Sequence, residues 1–194
     1  LSTLEFIKKN SNGTVIFDAH GPTNGCSRAG ERFLKFWIDR DVWLPYIDIL
    51  KMNLEEAACS WFKFEYEPGE LENIGELPLD ELPKFAQHCL DKGVKALYVT
   101  LDEYGCAVYF KDDAGEVQEH FIKRIHVDHV VDTTGCGDSF AGGLAFGYLK
   151  TRDYVKACYY GNAAGAQRCT STKLAVYKDL EETDRQIART YGPQ

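Results

Sequence analysis

Basic residues are in short supply: 22 lysines and arginines face 30 aspartates and glutamates, a formal net charge of −8. Nucleic acid and anionic membrane surfaces both demand a basic face, so neither is expected as a partner. Paired cysteines are missing as well. The seven cysteines (Cys26, Cys59, Cys89, Cys106, Cys136, Cys158, Cys169) are odd in number and scattered. Without a C-x-x-C pair they suggest neither a zinc knuckle nor a disulfide framework, and they read as reduced thiols of a cytoplasmic protein. No apolar run is long enough to span a bilayer and no signal-peptide pattern is present. Internal repeats and low-complexity tracts are also lacking. What remains is a globular composition, 44% hydrophobic and 27% charged over 194 residues. A chain of that size buries roughly 70% of its unfolded surface, enough for a true core.

Local patterns predict alternating elements. A helix ends near residue 10, and a short β-rich run from Thr14 to Phe17 leads into Asp18 and His20, read as a polar loop. Ala29, Phe33, Phe36 and Trp37 fall at helical spacing within residues 28–40. A strand from Ile47 to Met52 runs into Asn53 and a helix to about Phe62, followed by an acidic surface excursion over residues 64–78. Leu79, Leu82, Ala86 and Cys89 form one face of the next helix, whose first turn tolerates Pro83. An apolar strand spans Ala96 to Leu101, and two strands flank the turn signal Asp112-Asp113-Ala114-Gly115 as a hairpin. His126 to Val131 reads as a further strand. Two helices follow, with stripes at Ala141, Leu144, Ala145, Tyr148 and Leu149, and at Val155, Cys158, Tyr159, Ala163 and Ala166. Residues 178–190 form a polar last helix. The expected fold is a three-layer α/β/α arrangement on a mostly parallel sheet with an antiparallel hairpin at one edge. Ligands then belong at the carboxyl ends of the strands.

The densest chemistry lies in Val131-Asp132-Thr133-Thr134-Gly135-Cys136-Gly137-Asp138-Ser139-Phe140-Ala141-Gly142-Gly143. A Gly-rich turn opens a helix there. The first amides of a helix have no internal acceptor and, with the dipole, favour an anion. Gly135 and Gly137 let backbone approach a phosphoryl group closely, and Cys136 is small. Asp138 in the first turn is placed to orient an acceptor hydroxyl and take its proton. The bland alternative is a tight connection or a degenerate dinucleotide fingerprint. That fingerprint needs a third glycine, and Ala141 stands one place beyond its slot. The turn also comes late in the chain, so a Rossmann dehydrogenase is rejected.

The run D-T-T-G-C-G-D-S-F-A-G-G resembles the signature of the ribokinase-like carbohydrate kinases, the PfkB family. The resemblance implies ATP-dependent phosphoryl transfer to a sugar-like or nucleoside hydroxyl. In it Asp138 is the base, and the amides of Gly135, Cys136, Gly137 and Asp138 form the anion hole. Lys51-Met52-Asn53-Leu54-Glu55-Glu56 resembles the family's N-x-x-E element, which implies that Asn53 and Glu56 help hold magnesium and phosphates through water. Considered alone, the pair is an ordinary helix cap. Thr100-Leu101-Asp102-Glu103-Tyr104-Gly105 resembles the nucleotide loop T-L-G-x-x-G, with Asp102 in place of its first glycine, and implies nucleotide contacts for Thr100, Glu103 and Gly105. Asn162 matches an asparagine near the adenine, or is a satisfied buried amide. Asp132 and Thr134 match positions beside a monovalent cation such as potassium, although Ser171 to Lys173 lacks the glycine found near that site in relatives. The chain starts at Leu1 and matches only the back part of the family architecture, with the N-terminal half and lid absent. The expectation is therefore a single partial kinase domain over residues 1–194, pairing as a homodimer in the full-length protein. An inactive chain that holds ATP without turnover is the alternative.

Overall fold

The computed structural model describes residues 1–62, 75–173 and 176–193. Its strands are β1 (Ile16–Asp18), β2 (Asn24–Cys26), β3 (Arg32–Leu34), β4 (Ile49–Asn53), β5 (Ala96–Thr100), β6 (Gly105–Lys111) and β7 (Val117–Lys123). Its helices are α1 (Ser2–Asn10), α2 (His20–Thr23), α3 (Arg40–Trp43), α4 (Leu54–Ser60), α5 (Leu82–Asp91), α6 (Cys136–Thr151), α7 (Tyr154–Arg168) and α8 (Leu180–Tyr191). The main sheet has the order β1-β4-β5-β6-β7, and β2 and β3 make a separate antiparallel pair. The sheet is mixed and mostly parallel, with helices flanking it, as expected from the alternation of elements. The chain divides into two compact units, residues 1–99 with 109–119, and residues 100–108 with 120–194.

In the first unit, β1 pairs in parallel with β4, bringing Asp18 opposite Lys51. Strands β4 and β5 are buried almost end to end, which is why their apolar runs do not alternate. Leu82, Phe85, Ala86, Cys89 and Leu90 bury one face of α5. Leu79 precedes that helix and stays exposed, so it does not belong to the face. The Asp112–Gly115 turn forms as its residues dictate. Asp112 Oδ1 accepts from the amides of Ala114 (2.9 Å) and Glu116 (3.0 Å), and Gly115 takes φ +85°.

Residues 28–40 do not form a helix. Ser27 Oγ accepts from the amides of Ala29 (3.2 Å) and Glu31 (3.1 Å), Gly30 adopts φ +87°, and the chain folds back as the β2–β3 pair. Turn chemistry at Ser27 and Gly30 thus overrides the apolar spacing, and only Trp37 of the proposed stripe is fully buried. Most of the acidic excursion, residues 64–74, lies outside the described residues.

In the second unit, α6 and α7 pack through glycine. A Cβ on Gly143 would stand 2.4 Å from the Tyr160 carbonyl oxygen, and one on Gly147 2.8 Å from the Tyr160 side chain. Of the expected stripe only Leu144 is fully buried, while Ala141, Ala145 and Tyr148 are half-buried. Phe140, Leu144 and Gly147 are buried, and Leu149 is exposed. Helix α8 closes a cluster of Ile125, Tyr160, Ala163, Ala166 and Ile187. Residues 126–131 make no strand. The amides of Val131 and Asp132 instead donate to the Cys169 carbonyl (2.8 and 3.3 Å).

Adjacent glycines in α6 therefore answer oppositely to alanine. Gly142 has open space around it, so Gly142→Ala adds roughly 0.5–1 kcal/mol through helix propensity. Gly143→Ala costs about 1–3 kcal/mol of overpacking against backbone that cannot swing away. Urea midpoints of the two variants, read against the parent, give the signs.

Candidate functional site

The Gly-rich turn is assembled within the second unit. Asp132 Oδ1 accepts from the Thr134 amide at 2.9 Å, an Asx turn that bends the chain. Gly135 follows at φ +80°, a left-handed conformation that glycine adopts without penalty. The Cys136 amide donates to the Thr133 carbonyl at 3.1 Å, and Ser139 caps back onto the Gly135 carbonyl through N–H (2.9 Å) and Oγ (2.7 Å). Of the four amides assigned to the anion hole, that of Cys136 is thus already engaged. Those of Gly137 and Asp138 have no acceptor among the described residues. Both residues are exposed, and the Asp138 carboxylate makes no hydrogen bond or ion pair there. The turn is open, and Asp138 faces solvent.

Behind the turn stands a residue that the sequence analysis did not single out. Arg168, buried at the end of α7, donates from Nη1 to the Ser171 carbonyl (2.6 Å) and from Nη2 to Asp132 Oδ2 (3.4 Å). Both Asp132 oxygens are therefore occupied, one by an amide and one by a guanidinium. Hydrogen bonds from Thr134, then the Arg168 charge, hold the Asp132 carboxyl below its usual range, although desolvation opposes them. An oxygen cage for a monovalent cation does not fit here, because its carboxylate and carbonyl already face a fixed cation. An arginine at the end of an apolar helix stripe was the available sequence signal.

Cys136 is half-buried beside the turn, and desolvation first, with Cys169 nearby, pushes its thiol up to about 11. Burial outweighs the pull of the helix N-terminus toward a thiolate. At pH 7.5 iodoacetamide should leave Cys136 essentially unmodified, and its alkylation rate should climb about tenfold per pH unit toward pH 10. Peptide mapping by mass spectrometry gives that rate.

The nucleotide-loop residues also lie in the second unit. After half-buried Thr100 the chain makes a 3-10 turn over Asp102–Tyr104, closed by the Leu101 amide donating to the Gly105 carbonyl (2.8 Å). Asp102 has φ +47°. It stands where the resemblance has glycine, and aspartate is one of the few other residues that tolerates this region. Glu103 is exposed, and Gly105 sits at φ +121° against β7. Asn162 is buried and donates its amide hydrogens to the Lys123 carbonyl (3.1 Å) and to Tyr191 Oη (2.9 Å). It is a satisfied buried amide.

In the first unit, polar residues collect at the carboxyl ends of β1 and β4. Asn53 ends β4 and caps α4. Its Oδ1 accepts from the Glu56 amide (2.7 Å), while Glu56 Oε2 accepts from the Asn53 amide (2.9 Å), a complete capping box. Glu56 is 2% exposed, and its Oε1 lies 3.1 Å from His20 Nδ1. That nitrogen also lies 3.2 Å from Asn24 Nδ2. It cannot donate to the carboxylate and accept from the amide at once, so the tautomer that donates to Glu56 excludes the second bond. Lys51, buried, donates from Nζ to Asp18 Oδ2 at 3.0 Å. Asp18 and His20, read earlier as a polar loop, are thus partners of Lys51 and Glu56. A lysine inside an apolar strand was the sequence signal for this cluster. Among the described residues no group of three or more His, Cys, Asp or Glu side chains could hold a metal ion. Both Glu56 oxygens and Asn53 Oδ1 already face a partner, so these side chains fit magnesium only at one remove, through water.

Comparisons with known proteins identify the family. The family described as pfkB family carbohydrate kinase matches residues 35–179. The chain is 36% identical over 146 residues to 2-dehydro-3-deoxygluconokinase of Bacillus subtilis, covering 70% of this chain and 42% of that protein. It is 28% identical over 162 residues to fructokinase-2 of Oryza sativa, covering 80% of this chain and 39% of that one. Its fold resembles the crystal structure of ribokinase from Thermotoga maritima, with TM-score 0.65 and 26% identity over 96% of this chain and 52% of that one. The chain thus spans about half the length of these relatives, or less. Since the family match exceeds half the chain and runs unbroken from the β4–α4 junction through the Gly-rich turn, this protein belongs to the PfkB family of carbohydrate kinases.

Proposed function

We propose that the chain carries the phosphoryl-transfer chemistry of an ATP-dependent kinase acting on a sugar hydroxyl. The observation that carries this is the open turn, where the amides of Gly137 and Asp138 open a 16-residue helix beside an exposed Asp138 carboxylate, none of them with a partner among the described residues. The relatives' names, those of sugar kinases, favour a sugar as acceptor. In the proposed step the acceptor hydroxyl gives its proton to Asp138 as its oxygen bonds to the γ-phosphorus. The bond from that phosphorus to the bridging oxygen breaks, and ADP leaves. The amides of Gly137 and Asp138 stabilise the charge that spreads over the transferring group. Asn53 and Glu56 would hold magnesium through water, and the ion would offset the negative charge of the nucleotide's phosphates. Thr100, Glu103 and Gly105 border the nucleotide, and Asn162 supports that region from within α7.

The partial span of the relatives favours a second outcome, a chain that holds Mg·ATP without turnover. Calorimetry with Mg·ATP, run beside an ADP-coupled assay over ketoses, aldoses, sugar acids and nucleosides, separates the two. Turnover by this chain establishes the kinase, heat without turnover supports the binding reading, and neither signal removes both.

A further inference from the structure

Arg168 raises a question that phosphoryl transfer alone does not answer. A buried charge must have partners, and arginine cannot discharge itself by losing a proton. The Arg168 side chain is 6% exposed. Its fork reaches two oxygens from different segments, the Ser171 carbonyl at 2.6 Å and Asp132 Oδ2 at 3.4 Å. Its Nε lies 3.4 Å from where a Cβ on Gly135 would stand. The guanidinium therefore links the loop before the turn to the segment after α7 and lies beside Gly135. A metal ion seated there would need the oxygens the guanidinium already faces, and it would meet like charge at close range.

We propose that Arg168 is the resident cation of the Gly-rich turn, a positioning residue whose guanidinium fixes Asp132 and Ser171 around Gly135 so that the site binds anions without a monovalent metal ion. This rests on the kinase reading of the turn. Arginine suits the task because one planar fork ties two acceptors together, which a lysine ammonium does not reproduce.

The test compares the wild-type chain with Arg168→Gln and Arg168→Lys in choline, sodium and potassium chloride at matched ionic strength. Mg·ATP affinity is measured by calorimetry and the unfolding midpoint by circular dichroism. Wild type should bind equally, within about threefold, in all three salts. Arg168→Gln should bind about tenfold or more weakly in choline and recover part of the loss in potassium or methylguanidinium. Arg168→Lys, which keeps a charge without the fork, should fall between them and decides the matter if the glutamine variant does not fold. A purely structural arginine would shift the midpoint but create no new dependence on small cations. A wild-type affinity that improves more than about threefold in potassium over choline overturns the proposal. So does an Arg168→Gln, or failing its folding an Arg168→Lys, that binds like wild type in choline. If wild type fails to bind Mg·ATP in every salt, the kinase reading fails. The unfolding midpoint then still decides for Arg168, since potassium-specific stabilisation of wild type refutes a resident guanidinium and its appearance only in the variants upholds it.

Discussion

Asp138→Asn should lower sugar-dependent ADP release by about a thousandfold while Mg·ATP affinity stays within about threefold of the parent. The substitution is nearly isosteric, and it breaks no hydrogen bond or ion pair of the folded chain, because the Asp138 carboxylate makes none among the described residues. Its structural cost is limited to the favourable placement of a negative charge in the first turn of α6, about 0.3–1 kcal/mol. A large loss of turnover in a variant that melts within a few degrees of the parent therefore reports on proton transfer, not on folding. Residual turnover within about tenfold of the parent would remove Asp138 from the base role. The measurement belongs in whichever form of the protein shows turnover in the acceptor panel.

Gly105→Ala carries the largest expected loss of stability. A Cβ at this position would stand 2.1 Å from the Ile122 carbonyl oxygen and 2.8 Å from the Arg124 amide nitrogen. Both are backbone atoms of β7 and its continuation, so no rotamer change relieves the overlap. The φ of +121° is itself disallowed for an L side chain. Strain and overlap together should cost about 3–5 kcal/mol, the range of severe single substitutions, which lowers the unfolding midpoint by about 10 °C in a chain of this length. Differential scanning calorimetry gives the shift directly. A drop below about 3 °C would mean that the β6–β7 approach is looser than described. Asp102→Gly, three positions earlier in the same loop, has the opposite sign, since φ +47° is easier for glycine.

The same loop shows how sequence and structure divide the explanation. Asp102 looked like a departure from a glycine-rich pattern, yet its left-handed backbone keeps the geometry that glycine would supply. Gly105 was named for a possible nucleotide contact, whereas a packing demand from β7 is sufficient to require it. Asn162 was left open between ligand contact and buried amide, and its two donated hydrogens go to Lys123 and Tyr191. At Asn53 and Glu56 the helix cap anticipated from spacing is present in full. The magnesium role proposed for the pair goes beyond that cap and rests on the family resemblance.

Each error in the element assignment has its own local cause. The apolar spacing at residues 28–40 is real, but Ser27 and Gly30 turn the chain before a helix can start. The β-branched run at residues 126–131 found its acceptor in Cys169 and not in a neighbouring strand. In α6 the buried face includes Gly147, which no hydrophobic pattern registers.

The sequence by itself determined whatever depends on neighbours a few positions apart. The buried runs of β4 and β5, the Asp112 hairpin turn, the Asn53 cap and the Gly-rich opening of α6 all follow from local amide pairing, side-chain period and backbone tolerance. Only the tertiary structure decided that Lys51 meets Asp18, that Glu56 meets His20 and that Arg168 reaches Asp132 across 36 positions. Those pairs form because a charged group carried into the interior must find a polar partner, and its place in the chain does not say which element will bring one within reach.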